Sequence, residues 1–226
     1  MRTAVSGAAP LARETLEGFR SRFGVTIWEG YGLTETSPAL TWTAIGGVAK
    51  PGSVGRPLPG VELRLIDEGG EDVDPGDPGE IVVRGPNVFK GYWSDAEATE
   101  RAFVDGWFRT GDVGVLDDDG DLFIVDRRRD LVIVSGFNVY PREVEDVLLR
   151  HPAVADCAVV GMPDGRTGES VRAIVVLREG AQESPDALIE HCRRSLAPYK
   201  VPARVDVVQA IPRNAAGKVL RRELRT

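Results

Sequence analysis

A ring, a flexible glycine, a hydroxyl and a carboxylate lie within five residues at Tyr31-Gly32-Leu33-Thr34-Glu35. The Thr34 hydroxyl can donate a hydrogen bond to a phosphate oxygen, and the Glu35 carboxylate is the hard oxygen ligand that Mg²⁺ prefers. Gly32 has no side chain to hold a nucleotide away from the backbone. The segment therefore has the parts of an ATP–magnesium site. Taken alone, it is more typical of a helix cap, since Thr-Glu after glycine often begins a helix.

More polar segments follow in one order along the chain. They are Gly106–Asp112, Asp126–Asp130, Ser135–Glu145 and Pro212–Lys218. Each has an ordinary interpretation when read alone. An aspartate in a turn is usually solvated or capping, the basic run Arg127–Arg129 is typical of a solvated hairpin edge, and a lysine in a tail such as Lys218 is usually exposed.

The predicted type of secondary structure that must position these segments changes along the chain. Residues 3–5 predict a strand, and the helical spacing of Ala12, Leu16, Phe19 and Phe23 predicts a helix after it. A lone βα unit has no sheet to pack against, so this start resembles a piece of a larger α/β domain. From Ser53 to Val125, short alternating runs between Pro/Gly/Asp turns predict a small antiparallel sheet or barrel.

After Pro141 the pattern predicts a compact α+β segment. One helix has Val144, Val147 and Leu148 on one face, and a second begins at Ser184 as N-cap with Pro185 at its first position. Its inward residues are Leu188, Ile189, Cys192 and Leu196. The acidic run Asp117–Asp121 superficially suggests a calcium loop, but glycine and the bidentate glutamate are not where that loop needs them. We interpret it as a hairpin turn.

Composition excludes several functional classes. The chain has 226 residues, 42% of them hydrophobic, and can bury a core; its net charge of -7 gives no attraction for nucleic acid or anionic lipid. Cys157 and Cys192 show neither a disulfide framework nor zinc-ligand spacing. No transmembrane segment or signal peptide is recognisable, so we expect a cytoplasmic protein.

Together and in this order, the segments resemble the core motifs of the adenylate-forming superfamily, which contains acyl-CoA synthetases, peptide-synthetase adenylation domains and beetle luciferases. The resemblance covers essentially all 226 residues. It implies an α/β plus α+β fold, in which residues 1–128 are the C-terminal remnant of a large AMP-binding domain. Within it, 1–50 would be a βα piece and 51–128 a small antiparallel β-barrel-like subdomain. Residues 129–226 would be a compact α+β lid domain that carries the catalytic lysine.

The same resemblance implies roles for residues of the first part. Tyr31 would stack on adenine, with the Gly7-Ala8-Ala9 loop alongside. Thr34 would contact phosphate and Glu35 would bind Mg²⁺. Asp112 would contact the ribose, and its two acceptor oxygens suit a cis-diol.

For the second part, the resemblance implies that Arg127 also contacts the ribose and that Lys218 bridges the acid's carboxylate and the α-phosphate as negative charge concentrates. Ser135–Tyr140 would line the entry of the pantetheine arm of CoA, with Gly136 allowing close approach. From sequence alone, an ordinary turn glycine is as good an interpretation of Gly136. The hinge between the two parts would lie near Arg129, where the family often has Asp or Lys.

The implied reaction joins a carboxylic acid to CoA at the expense of ATP. The sequence of Ser135–Pro141 is most similar to that of bacterial fatty-acid CoA ligases. Three alternatives stay open. The acyl group could pass to a carrier protein's pantetheine, the protein could be a luciferase-like oxygenase, or it could be a non-catalytic nucleotide-binding or interaction module.

One expected motif does not occur in the sequence. Family members carry a Ser/Thr/Gly-rich phosphate loop ending in Pro-Lys-Gly, and the chain has none before Ser6 or elsewhere. We therefore expect most of the large domain to be missing and the chain alone to be inactive in the full reaction. Its apolar surface within residues 1–50 would associate with the missing region or with a second copy.

Overall fold

The computed structural model describes residues 3–7, 11, 13–47, 49–214 and 217–225, and for residues 14, 45 and 46 the backbone alone. The chain divides into two compact units, Met1–Val125 and Asp126–Thr226. The sequence placed a boundary between residues 128 and 129, and the roles given to the two sides of that boundary stay predictions.

A parallel strand pair begins the first unit. Its elements are β1 (Ala4–Ser6), α1 (Arg13–Phe23) and β2 (Ile27–Tyr31). β1 and β2 pair in parallel, as expected for two strands joined through a helix. Leu16 of the predicted helical face is buried and Phe23 is exposed, whereas Ala12 lies outside the described residues.

The remaining strands extend this pair into a mixed sheet. They are β3 (Thr41–Trp42), β4 (Ser53–Pro57), β5 (Glu62–Ile66), β6 (Gly79–Arg84), β7 (Phe103–Val104), β8 (Trp107–Leu116) and β9 (Leu122–Arg127), with α2 (Ala96–Ala102) before β7. The strand order is β1-β2-β3-β4-β9-β8-β6-β5, and β7 pairs with β8. The predicted antiparallel strands are present, but among the described residues this path is open at β5. The barrel-like closure of residues 51–128 is therefore not confirmed.

A set of large apolar side chains forms the core of this sheet. Its buried members are Leu40, Leu65, Ile81, Val83, Phe108 and Leu122. β6 is buried at five of its six residues, because strands pair with it on both sides and this core lies against it. β8 and β9 are joined by the Asp117–Asp121 turn, in which the Asp117 amide donates to the Asp121 carbonyl at 3.1 Å. The hairpin predicted there is confirmed.

The second unit is an α+β fold. Its strands are β10 (Val132–Val134), β11 (Phe137–Val139), β12 (Val154–Asp164), β13 (Gly168–Leu177) and β14 (Arg204–Val207). Its helices are α3 (Pro141–Leu149), α4 (Pro185–Arg193) and α5 (Arg221–Leu224), with short 3₁₀ turns at Arg128–Asp130 and Pro198–Lys200. The sheet order is β11-β10-β13-β12, and β14 pairs in parallel with β13.

Helices α3 and α4 cover the larger core of the second unit. Val144, Val147 and Leu148 are buried on α3, as the sequence predicts. Ser184 caps α4 by accepting a hydrogen bond from the Ala187 amide, and the predicted N-cap is thereby confirmed. Among the residues that the structure describes, no helix is long and apolar enough to cross a membrane.

Candidate functional site

The Tyr31–Glu35 segment begins at the end of β2 and passes into a 3₁₀ turn at Thr34–Thr36. The buried Thr36 hydroxyl holds this turn by accepting from the Leu33 amide and donating to the Leu33 carbonyl, each at 2.9 Å. Thr34 itself is exposed and free of this packing role. In open α/β sheets, ligands bind outside the carboxyl ends of parallel strands, and this turn follows such an end.

Gly32 is required by the packing of its own segment, and its predicted approach to a nucleotide stays a prediction. A Cβ atom at Gly32 would lie 2.0 Å from the Pro38 carbonyl oxygen and 2.8 Å from the Ala39 Cα. Because real Cβ atoms do not approach backbone that closely, glycine here permits the segment to fold back on residues 38–39. The turn that presents Thr34 and Glu35 depends on that close packing.

A hydrogen bond joins two of the predicted nucleotide-binding residues. The Tyr31 hydroxyl donates to Asp112 Oδ2 at 2.7 Å across a separation of 81 residues. Asp112 lies on β8 and is 5% exposed, and its own amide donates to the Thr110 hydroxyl at 3.1 Å. Thr110 in turn donates to the Ile81 carbonyl at 2.9 Å. The fold thus brings the predicted ring into contact with the predicted ribose carboxylate, although β2 and β8 are not neighbours in the sheet.

The predicted adenine loop lies partly within the described residues. Gly7 is exposed and follows β1, and a Cβ built on it would be 3.4 Å from the Gly30 carbonyl oxygen. Gly7 therefore lies beside the strand that ends in Tyr31. Ala8 and Ala9 lie outside the described residues.

Glu35 is held by a segment that the sequence analysis did not select. The Tyr92 hydroxyl donates to Glu35 Oε1 at 3.0 Å, and the Phe89 amide donates to the Glu35 carbonyl at 2.8 Å. Asn87 donates from its amide nitrogen to the carbonyls of Thr36 and Ala39 at 2.9 and 2.7 Å. Partial burial, and next the contact with Glu35, raise the pKa of Tyr92 above its ordinary value. Tyr92 therefore stays a neutral donor to this carboxylate.

The three carboxylates of the β8–β9 turn surround a lysine. The Lys50 ammonium lies 2.6 Å from Asp117, 2.7 Å from Asp119 and 3.1 Å from Asp121. Arg56 adds a second cation 3.3 Å from Asp121. The hydrogen bond from Lys50 holds the pKa of Asp117 below its ordinary value. Because a fixed ammonium already lies among the three carboxylates, they are a poor site for a divalent cation.

In the second unit, Asp126 organises the start of the predicted ribose and hinge segment. Its carboxylate accepts from the amide of Arg127 at 2.8 Å and from that of Arg142, in the first turn of α3, at 2.9 Å. Burial raises the pKa of the Asp126 carboxyl above its ordinary value, and these two donors oppose that shift. Arg127 is half-buried next to Asp126, whereas Arg129 is exposed.

The predicted pantetheine segment contains a two-residue hairpin turn between β10 and β11. Ser135 and Gly136 have φ angles of 51° and 84°, and the flanking residues Val134 and Phe137 pair across the turn. Two positive φ angles in a two-residue loop identify a type I′ turn, which favours glycine. Gly136 is exposed, with nothing described within 4 Å of a Cβ built on it. A structural role for Gly136 is therefore sufficient, and its predicted role in binding stays a prediction.

Lys218 lies near the end of a small hairpin and is exposed. Arg213 and Val219 form an isolated antiparallel bridge across the hairpin. The Lys218 amide donates to Asn214 Oδ1, and the Asn214 amide donates to the Lys218 carbonyl, each at 2.9 Å. The backbone at Lys218 is thus fixed although the sequence shows no periodicity there.

Comparison with known proteins identifies the family. A model of the AMP-binding enzyme family matches residues 1–93, and a model of the AMP-binding enzyme C-terminal domain matches residues 143–218. The chain belongs to the AMP-binding enzymes. The first matched range contains Tyr31, Thr34 and Glu35, and the second ends at Lys218.

The relatives of this chain include CoA ligases. The long-chain-fatty-acid–CoA ligase of Yersinia pestis is 44% identical over 225 residues, which are 100% of this chain and 40% of the relative. The ATP-bound structure of MatB from Rhodopseudomonas palustris has a TM-score of 0.93 and 42% identity, covering 98% of this chain and 44% of that chain. The o-succinylbenzoate CoA synthetase of Bacillus subtilis, in complex with ATP and magnesium ion, has a TM-score of 0.86 and 40% identity, covering 99% and 46%. The chain spans less than half the length of each.

Two residues that contact the candidate site carry no signal in the sequence. Tyr92 and Asn87 meet the Glu35 turn across separations of 57 and 51 residues. Their position between β6 and α2 gives no periodicity that would predict a contact with residues 35–39. A prediction of which strands are neighbours would have been needed to find them.

Proposed function

We propose that this chain is the C-terminal part of an ATP-dependent acid–CoA ligase that uses a fatty acid. The observation that carries the proposal is the hydrogen bond from Tyr31 to Asp112, which joins two motifs at the carboxyl end of β2. The family match and the CoA ligases among the relatives support the ligase class. The similarity of the segment Ser135–Pro141 to fatty-acid ligases supports the acid, and CoA is the proposed acceptor.

The first half-reaction would form an acyl-adenylate. A carboxylate oxygen of the acid attacks the α-phosphorus of ATP, the bond from that phosphorus to the bridging oxygen breaks, and pyrophosphate leaves. Tyr31 would stack on adenine, and Asp112 would accept hydrogen bonds from the ribose hydroxyls. Thr34, exposed on its 3₁₀ turn, is free to donate to a phosphate oxygen. Arg127 would add a second ribose contact.

Lys218 would act in this step as a positioned charge. Its ammonium would lie between the acid's carboxylate and the α-phosphate, two anions that otherwise repel each other. The fixed backbone of its hairpin lowers the conformational freedom that the side chain loses when it meets these anions. No proton needs to leave the lysine in this role.

Magnesium fits the residues that are present. Glu35 offers carboxylate oxygens on an ordered turn, and Mg²⁺ commonly takes one or two carboxylates together with phosphate oxygens and water. When bound, the ion would neutralise charge on the phosphates as pyrophosphate leaves. Tyr92 holds one oxygen of that carboxylate at 3.0 Å and thereby limits its rotation.

In the second half-reaction the CoA thiol would lose its proton to solvent and its sulfur would attack the acyl carbon. The bond from the acyl carbon to the phosphate oxygen would break, and AMP would leave. We propose that the unit carrying Lys218 turns about a hinge near Arg129 between the two steps. Gly136 and its neighbours in Ser135–Tyr140 would then lie along the pantetheine arm.

Calorimetry with an acyl-adenylate analogue tests the nucleotide site in this chain directly. We expect binding that Asp112→Ala weakens at least tenfold, because the buried carboxylate would be lost from the ribose contact. Asp118→Ala, which removes an exposed aspartate from the nearby turn, should leave binding unchanged. Binding that is equal in all three proteins would contradict the assigned site.

We expect activity to require the region of the relatives that this chain does not match. The chain should be joined to the unmatched part of the Yersinia pestis ligase and supplied with ATP, Mg²⁺, CoA and a panel of fatty and aromatic acids. Formation of acyl-CoA that Lys218→Ala abolishes and Lys90→Ala preserves would support the ligase. A completed protein that neither binds the analogue nor forms acyl-CoA would leave a folded interaction module instead.

A further inference from the structure

Carboxylates from two segments surround the guanidinium of Arg221, three residues beyond Lys218. Arg221 Nη1 lies 2.6 Å from Glu145 Oε1 and donates to the Val159 carbonyl at 2.5 Å. Its Nη2 donates to Glu145 Oε2 at 3.2 Å, and its Nε lies 3.8 Å from Asp130 Oδ2. The side chains of Arg221 and Glu145 are only 18% and 14% exposed. Charges this far from water are stable only when they are paired and hydrogen-bonded.

The same pairing continues toward the segment that precedes β10. Arg225 lies 3.5 Å from Asp130 and donates to the Arg129 carbonyl at 3.2 Å. Glu145 also accepts from the Val159 amide at 2.8 Å. One compact network therefore connects α5 with α3, with β12 and with the 3₁₀ turn Arg128–Asp130.

The hairpin that carries Lys218 lies between two arginine anchors. At its start, Arg213 donates to both oxygens of Asp156 at 2.9 Å and to the Gly217 carbonyl at 2.7 Å. At its end, the Leu220 amide donates to the Pro212 carbonyl at 2.9 Å, and Arg221 follows immediately. Both strands of the hairpin are thus bonded to the body of the second unit. The hairpin that carries Lys218 is therefore held at both ends, by Arg213 and by Arg221.

We propose that Arg221 is the positioning residue for Lys218. By bonding Glu145 and Val159, it fixes the Lys218 hairpin to the same framework that holds the Arg128–Asp130 turn. Lys218 and the turn beside the proposed hinge then move as one body. The proposal rests on the proposed role of Lys218 in adenylation, and Arg221 contacts no substrate itself.

Hydrogen exchange on the chain itself tests the positioning. In Arg221→Met we expect the amides of residues 217–220 to exchange at least tenfold faster than in the unsubstituted chain, while the amides of α4 keep their rates. Arg222→Met changes an exposed arginine one position away and should alter neither. Arg221→Lys retains the charge and should recover part of the protection. Equal rates at 217–220 in Arg221→Met and the unsubstituted chain would overturn the proposal.

Loss of Arg221 leaves Glu145 buried without its main cation, so the Met variant can fail to fold. The double variant Arg221→Met with Glu145→Gln removes both charges and keeps similar side-chain volumes. It should fold and still show the faster exchange at 217–220. A folded double variant with unchanged exchange would refute the positioning role.

Separate half-reactions in the completed ligase distinguish positioning of Lys218 from general stability. Arg221→Met should lower the rate of adenylate formation at least tenfold, and CoA capture of a supplied acyl-adenylate less than twofold. A residue needed only for folding would lower both steps alike, which would overturn the proposal. If the completed ligase without substitutions forms no product, the proposed function fails, and the exchange experiment still decides whether Arg221 fixes the hairpin.

Discussion

Removing a single oxygen atom by Tyr31→Phe tests the contact between two residues of the proposed nucleotide site. The hydroxyl of Tyr31 donates to Asp112 at 2.7 Å, and Asp112 is 5% exposed. A hydrogen bond to a charged group contributes about 1.5–3 kcal/mol, and a buried acceptor that loses its donor stays desolvated. Asp112 keeps other interactions, so we expect the lower end, about 1.5 kcal/mol. That change is roughly a twelvefold shift in the unfolding equilibrium.

Calorimetry should show the loss as a lower Tm of the unit Met1–Val125. For a unit of this size, about 1.5 kcal/mol corresponds to a decrease of about 6 °C. The transition of the unit Asp126–Thr226 should stay unchanged, because its core contains neither residue.

Tyr92→Phe provides a matched control with the same chemical change. Tyr92 is 41% exposed and donates to Glu35 in reach of water, so we expect an effect below about 0.5 kcal/mol. Combining Tyr31→Phe with Asp112→Asn in a double-mutant cycle isolates the pair from their other contacts. A coupling energy below about 0.3 kcal/mol would refute the inference that this hydrogen bond organises the site.

Further predictions concern Gly32, Cys192 and Asp126. Gly32→Ala places a Cβ 2.0 Å from the Pro38 carbonyl oxygen and should destabilise the first unit by about 1–3 kcal/mol in urea unfolding. As a control, Gly18→Ala in α1 meets nothing within 4 Å and should not destabilise it. Equal stability of the two variants would contradict this packing. Burial raises the pKa of Cys192 to about 11 from 9.0, so alkylation of Cys192 at pH 8 should be at least about a hundredfold slower in the folded chain than in denaturant, and comparable rates measured by mass spectrometry would contradict its burial. Burial raises the folded-state pKa of Asp126 above its ordinary value of 3.8, so its contribution to stability is greatest at low pH and falls as pH rises through the folded pKa. The free energy of unfolding of Asp126→Asn should lack that decrease, and parallel pH curves for both proteins would count against it.

Local signals in the sequence predicted a helix cap, a buried helix face and a hairpin turn. The cap at Ser184 and the inward face Val144, Val147 and Leu148 depend on residues within one or two turns, and periodicity and capping rules read such distances directly. The hairpin at Asp117–Asp121 is equally local. Each of these was predicted without knowing which strands are neighbours.

Contacts between distant segments could not be predicted in the same way. The pairs Tyr31–Asp112 and Arg221–Glu145 are 81 and 76 residues apart, and only the tertiary fold brings their members together. Family resemblance supplied roles for Tyr31 and Asp112 but gave no reason to join them. Gly32 shows a further limit, since its sequence context gives no sign that it packs closely against the backbone of residues 38–39.

The lysine in the β8–β9 turn makes that hairpin independent of its ionic surroundings. An ion held by three carboxylates would exchange with the solution and would leave in the presence of a chelator, whereas the ammonium of Lys50 is covalently part of the chain. Changes in free magnesium should therefore not loosen this turn. If Glu35 holds Mg²⁺ as proposed, a chelator would remove that ion and leave the acidic turn in place.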